Sequence, residues 1–205
     1  MNVFIDLNKV RQPKVKKFIQ TNQLNSPEGF DLFSPVCFIQ EEESTYRKHH
    51  RTFTVPLPIE QVWKAYVTIH PRDAWHGTMV SFGLQFSRRK RTVSYLNDPY
   101  SELERGQIII LNLNILAGIL NIAVAHEVAE VNHNEKLIKL CYMAGGASVG
   151  SQWIRFKETQ EGQTEISHLT LYKSNSRFRD TILYPALHTK AISEFHHSVW
   201  KSLGL

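Results

Sequence analysis

Residues 125–133 read AHEVAEVNH, which opens like the helical zinc signature HExxH, except that Glu130 stands where the second histidine belongs. On a helix His126, Glu130 and His133 would share a face at ligand-like spacing and could hold a metal. On a strand His133 falls opposite the other two and the set loses its geometry. Val124, Val128 and Val131, with hairpin signals on either side, favour the strand. No metal and no other cofactor is therefore expected. His126 then shares a face with Ile122, Val124 and Val128, either as a polar group inside a cavity or as a hydrogen-bonded core histidine.

The second candidate pair is Tyr184 and His188, one helical turn apart on an apolar stripe. A buried phenol and imidazole need hydrogen-bond partners, which a ligand carbonyl or hydroxyl, each other, backbone or water could supply. With a second base nearby, His188 could shuttle a proton while Tyr184 donates to an enolising carbonyl. The sequence names no carboxylate for that task, since Glu194 is expected to point outward. Ser148 and Ser151 lie in no nucleophile elbow. The segment 144–150, AGGASVG, lacks the Lys-Ser or Lys-Thr of a phosphate loop and falls between strands, where it reads as a flexible rim. No catalytic residue is assigned.

These side chains need elements to position them. From Pro185 onward Leu187, Ala191, Ile192, Phe195, Val199 and Leu203 recur at helical spacing, against Lys190, Ser193, Glu194, His197 and Lys201 on the other face. Asn175 or Ser176 can cap this helix and Gly204 can end it. Ahead of it, strands are expected at 107–116, 120–131, 136–143, 151–157 and 164–172, joined by short turns, one of them at Ala117-Gly118. Asn112 and Asn114 share one face of the first of these strands, and Leu111, Leu113 and Ile115 the other, so one side reads as wet and one as covered. Ile138, Leu140 and Tyr142 alternate in the same way. Upstream, a strand at 51–56 precedes a helix at 57–66, and strands at 79–86 and 92–96 meet at the basic turn 88–91. The order of elements makes the fold class α+β. Residues 1–48 read as an N-terminal extension packing on or near a main domain at 49–205, with Glu41–Glu43 as a linker.

Composition narrows the field. With 42% hydrophobic and 21% charged residues the chain is an ordinary globular one. The 106–125 stretch has no charge, but its amides at Gln107, Asn112, Asn114 and Asn121 argue against a membrane span. Cys37 and Cys141 form no metal or redox motif and read as two buried thiols of a cytoplasmic protein, with no signal peptide ahead of them. The net charge of +5 is partly clustered at 14–17, 47–51 and 88–91, which leaves room for an anionic partner such as acidic lipid, though solvated turns explain it better and nucleic acid is not favoured.

The run Val55-Pro-Leu-Pro58 followed by Ile59-Glu-Gln-Val-Trp63, the series of antiparallel strands and the single long terminal helix together resemble the SRPBCC, or START-like, superfamily, which includes Bet v 1-like and polyketide cyclase-like proteins. The resemblance covers about 51–205. It implies a helix-grip plan, a curved antiparallel sheet wrapped around the long C-terminal helix, with short helices after the first strand. It also implies a cavity between them for an apolar small molecule or lipid. The lining residues expected there are Leu111, Leu113, Val124, His126, Tyr142, Tyr184, Leu187, His188, Ala191 and Phe195. Binding without transformation is the leading expectation; a cyclase, dehydratase or hydrolase on the same cavity, or a module for anionic surfaces, are the alternatives.

Overall fold

The computed structural model describes residues 4–115 and 120–205; the turn expected at Ala117-Gly118 lies outside them. The chain opens with two short helices, α1 (Pro13–Thr21) and α2 (Pro27–Leu32), each started by a proline whose missing N–H has no partner to lose at that position. Strand β1 (Arg47–Val55) leads to α3 (Ile59–Thr68) and the single turn α4 (Pro71–Ala74). Then follow β2 (Val80–Ser87), β3 (Thr92–Ser94), β4 (Gln107–Ile115), β5 (Leu120–Asn132), β6 (Leu137–Tyr142), β7 (Val149–Glu158) and β8 (Thr164–Lys173). They form one antiparallel sheet in the order β1-β8-β7-β6-β5-β4-β2-β3. A π-helical turn at Arg179–Leu183 runs directly into the terminal helix α5 (Tyr184–Ser202), with Pro185 at the junction. Gly204, at φ +83°, ends it in the left-handed conformation that glycine adopts without strain. This is the helix-grip α+β architecture.

Strict alternation sends one set of side chains to each face of the sheet. The inner face carries Val80, Phe82, Ile109, Leu111, Val128, Ile138, Leu140, Ile154, Phe156 and Ile166, and it packs on α3, α4 and α5 through Val62, Trp63, Tyr66, Phe195 and Val199. Trp75 stacks on Phe195 at 4.4 Å between ring centres.

The outer face was expected to be wet. Instead Ile108, Ile110, Leu84, Phe86 and Ala125 form a second core with Val10, Val15, Ile19, Leu24, Phe30 and Phe33 from the first 33 residues, and Asn112 is buried. Apolar residues therefore run consecutively in β4, the pattern of a strand covered on both sides. Gly83, at the β2 bulge, permits the close approach of α1: a Cβ there would sit 2.9 Å from Val15 Cγ1.

Three further expectations are corrected by these contacts. Cys37 and Cys141 are not free thiols but a disulfide that ties the N-terminal segment to the outer side of β6. Glu194 does not point away: its carboxylate accepts from the backbone N–H groups of Met79 and Val80 and from the Thr78 hydroxyl, so α5 is fastened to the start of β2. The loop at 144–150 is not a free rim, because the Ala144 N–H donates to the Ser34 carbonyl and Gly145 sits against the Asn22 side chain.

Candidate functional site

Inside the grip the inner face changes character along the strands. Toward α3 and α4 it is apolar. Toward the start of α5 it becomes a layer of imidazoles, phenols and one amide. Registers explain the grouping: His49, Thr170 and Gln152 are paired across β1, β8 and β7, while Tyr142 and His126 are paired across β6 and β5. His168 lies two residues from Thr170 on the same face of β8. Helix α5 lays His188 and His196, eight residues apart and so on nearly one stripe, over this row.

Gln152 is the hub. Its Oε1 lies 2.9 Å from His168 Nε2 and 3.4 Å from His188 Nε2, and its Nε2 lies 2.9 Å from His126 Nε2 and 3.3 Å from the Tyr142 hydroxyl. One arm continues from His168 Nδ1 to His196 Nε2 at 3.0 Å, from His196 Nδ1 to the Tyr66 hydroxyl at 2.6 Å, and from there to Trp200 Nε1 at 3.2 Å. A second arm runs from His188 Nδ1 to His49 Nδ1 at 3.1 Å and on to the Thr189 hydroxyl at 2.8 Å. Tyr142 and Tyr184 are hydrogen-bonded through their hydroxyls, and Tyr184 stacks between Tyr172 and His188.

The layer is electrically neutral. Burial lowers His126 to about 4 and His168 to about 3. Burial likewise holds His188 and His196 well below the ordinary imidazole value, and lowers His49 with help from the nearby Arg51 charge. The Tyr66, Tyr142 and Tyr184 hydroxyls are pushed up by the same loss of water. Among the described residues no carboxylate hydrogen-bonds any of these histidines. The chemistry on offer is directional hydrogen bonding, not charge.

Of the residues expected from sequence, His126, Tyr142, Tyr184 and His188 come together in this layer. Leu111, Leu113, Val124 and Phe195 belong to the neighbouring apolar wall, Ala191 is buried, and Leu187 is only half-buried. Sequence reasoning missed His49, Tyr66, Gln152, His168 and His196. Period-two alternation through β8 would have found His168, and the step of eight from His188 would have found His196. Glu130 bonds Asn132 and His133 accepts from Trp63 Nε1, so neither joins His126.

Part of the interior is closely packed. A cavity of about 30 Å³ lies between Tyr66, Trp75, Ile109, Leu140, Ile154 and Phe195, roughly the space of one water. At the opposite end closure is looser. Leu113, Ile122 and Val124 are only part-buried, and Phe178, Ile182 and Leu183 ahead of α5 are 61%, 57% and 42% exposed. A separate outer groove of about 690 Å³ between α3, α4 and the end of α5 is lined by Lys64, Thr68, His70, Asp73 and Lys201 and faces solvent.

The basic turn at 88–91 is largely engaged. Arg88 binds Glu127 and the Phe30 and Phe33 carbonyls, Arg89 and Lys90 meet Glu104, and Arg91 meets Asp31. Among the described residues no helix is long and apolar enough to cross a membrane.

No family model and no curated protein matches the chain. Solved structures do. Ginseng major latex-like protein 151 from Panax ginseng aligns with a TM-score of 0.54 at 8% identity, covering 76% of this chain and 95% of its own. Norcoclaurine synthase from Thalictrum flavum, in complex with dopamine and hydroxybenzaldehyde, aligns with a TM-score of 0.54 at 14% identity, covering 81% and 92%. Protein Ms6760 from Mycobacterium smegmatis aligns with a TM-score of 0.52 at 13% identity, covering 80% and 94%. At such identities the likeness is one of fold: a curved antiparallel sheet closed on a long C-terminal helix, the helix grip.

Proposed function

We propose that the chain binds an apolar small molecule or lipid between the sheet and α5, without transforming it. The observation that carries this reading is the polar layer around Gln152, held inside the grip beside an apolar wall. Such a pairing of greasy surface with a few oriented polar groups is what small-molecule sites are made of. A purely structural core gains more from apolar side chains, because each buried imidazole must be matched or it destabilises the fold. The fold neighbour solved with dopamine and hydroxybenzaldehyde is consistent with aromatic guests in a grip of this kind. Acid–base catalysis is the weaker reading, since among the described residues no carboxylate partners these imidazoles and burial holds His126 and His168 far below neutrality.

The part-buried Leu113, Ile122 and Val124 and the exposed residues ahead of α5 mark the looser end of the grip, where a guest would enter. The π-helical turn at Arg179–Leu183 runs directly into α5 and supplies a joint, as such turns recur at functional sites. The test is to purify the protein from its host, extract it with organic solvent and identify small molecules by mass spectrometry, alongside displacement of an environment-sensitive apolar dye. A stoichiometric apolar compound is expected. No extracted compound together with no dye binding would overturn the reading.

A further inference from the structure

Hydrogen-bond direction in the buried layer is set at one end by a group that can only donate. Trp200 has an N–H and no acceptor, so the Tyr66 oxygen receives it. The Tyr66 proton must then go to His196 Nδ1, 2.6 Å away. A neutral imidazole has one donor and one acceptor nitrogen, so His196 donates from Nε2 to His168 Nδ1, and His168 donates from Nε2 to Gln152 Oε1. The amide orientation of Gln152 follows. Turning the amide over would reverse each imidazole in the series and leave the Tyr66 proton without an acceptor.

The two amide protons of Gln152 therefore point to His126 Nε2 and to the Tyr142 oxygen. His126, accepting at Nε2, carries its own proton on Nδ1. That nitrogen is buried without a hydrogen-bond partner among the described residues, on a side chain only 7% exposed. The tyrosine branch ends in the same way: Tyr142 and Tyr184 have two hydroxyl protons, and their mutual bond uses one. Both branches leaving Gln152 thus terminate in surplus donors.

We infer that the polar end of the guest is a neutral hydrogen-bond acceptor, the carbonyl oxygen of an apolar ketone, ester or lactone, which receives the Nδ1–H of His126. A donor group would leave the Nδ1–H of His126 still without an acceptor. A carboxylate is disfavoured because no positive charge within the layer offsets its loss of water. This rests on the binding reading above and adds the chemical class of the ligand.

The experiment compares acetophenone with α-methylstyrene, in which a methylene replaces the carbonyl oxygen and the shape is kept. Acetophenone is expected to bind about tenfold more tightly, the effect of one net hydrogen bond. Its carbonyl stretch should move to lower frequency in the wild-type complex, and both differences should vanish in His126→Phe. Should that variant not fold, the wild-type infrared shift and affinity ratio decide alone. Equal affinities with an unshifted carbonyl stretch overturn the assignment of His126 while leaving apolar binding intact. Failure of both compounds to bind overturns the assignment and the binding reading together.

Discussion

Acid should loosen this fold well before its carboxylates protonate, and the size of the effect can be worked out. An imidazole in the unfolded chain takes up a proton near 6.5, whereas His126 in the fold does so only at about 4 and His168 at about 3. Between those values the unfolded state holds protons that the folded state refuses, so stability falls as pH falls. Each histidine contributes about 1.4 kcal/mol per pH unit over that window. Lowering the pH from roughly 6.5, where an unfolded histidine is half protonated, to 5 therefore costs about 1.6 kcal/mol per histidine and about 3 kcal/mol for these two. His188 and His196 act in the same direction. Against a typical domain stability of about 5–15 kcal/mol, this is a large fraction. The assay is urea denaturation followed by tryptophan fluorescence at several pH values. Stability should be flat above about pH 7 and decline steeply below it, and His168→Gln should reduce the slope by about 1.4 kcal/mol per pH unit if it folds. A stability that stays level from neutrality down to roughly pH 5 would falsify the neutral-layer description.

Other perturbations test the remaining joints. Gln152→Leu removes the hub and strands several buried donors and acceptors, so a loss of about 3–5 kcal/mol in urea stability is expected; a loss below about 1 kcal/mol would show the layer to be loosely coupled. Glu194→Ala should cost about 2 kcal/mol by leaving the Met79 and Val80 N–H groups without their charged acceptor, and Glu194→Gln should recover part of that in the same assay. Cys37→Ser opens a link between residues 104 apart in sequence, with an expected loss of about 2–4 kcal/mol. Thiol trapping in the host is a companion measurement: a cytoplasmic setting predicts Cys37 and Cys141 reactive as thiols, an oxidising one predicts them protected as the disulfide.

How much of this could be read from the residues depended on whether local order carried the information. Alternation in Ile138-Leu140-Tyr142, and the helical recurrence of Ala191, Phe195 and Val199, were visible because each element repeats its own period. Those periods sufficed for the architecture, and they singled out His126, Tyr142, Tyr184 and His188 as polar residues on apolar faces. Gln152 escaped because it stands between Ser151 and Trp153 at a loop exit, where an amide attracts no notice. Its role comes from register alone, which brings Thr170 and Leu140 to its flanks. His133 was misjudged by parity because the bulge between Val128 and Glu130 shifts the phase of β5. The disulfide and the second core were invisible for a common reason. Both join the first 40 residues to strands roughly 50 to 110 positions away, and no local pattern reports such a contact. The one local hint was the unbroken apolar run Ile108–Leu111, which marks a strand buried on both sides.

The claim on which binding, ligand class and acid sensitivity all depend is that the grip encloses an ordered, neutral hydrogen-bonded layer ending in a free donor. Nitrogen NMR of imidazole-labelled protein at neutral pH reads this directly. The account predicts four neutral rings, with the proton on Nε2 of His168, His188 and His196 and on Nδ1 of His126. A protonated ring among them, or His126 carrying its proton on Nε2, would contradict it.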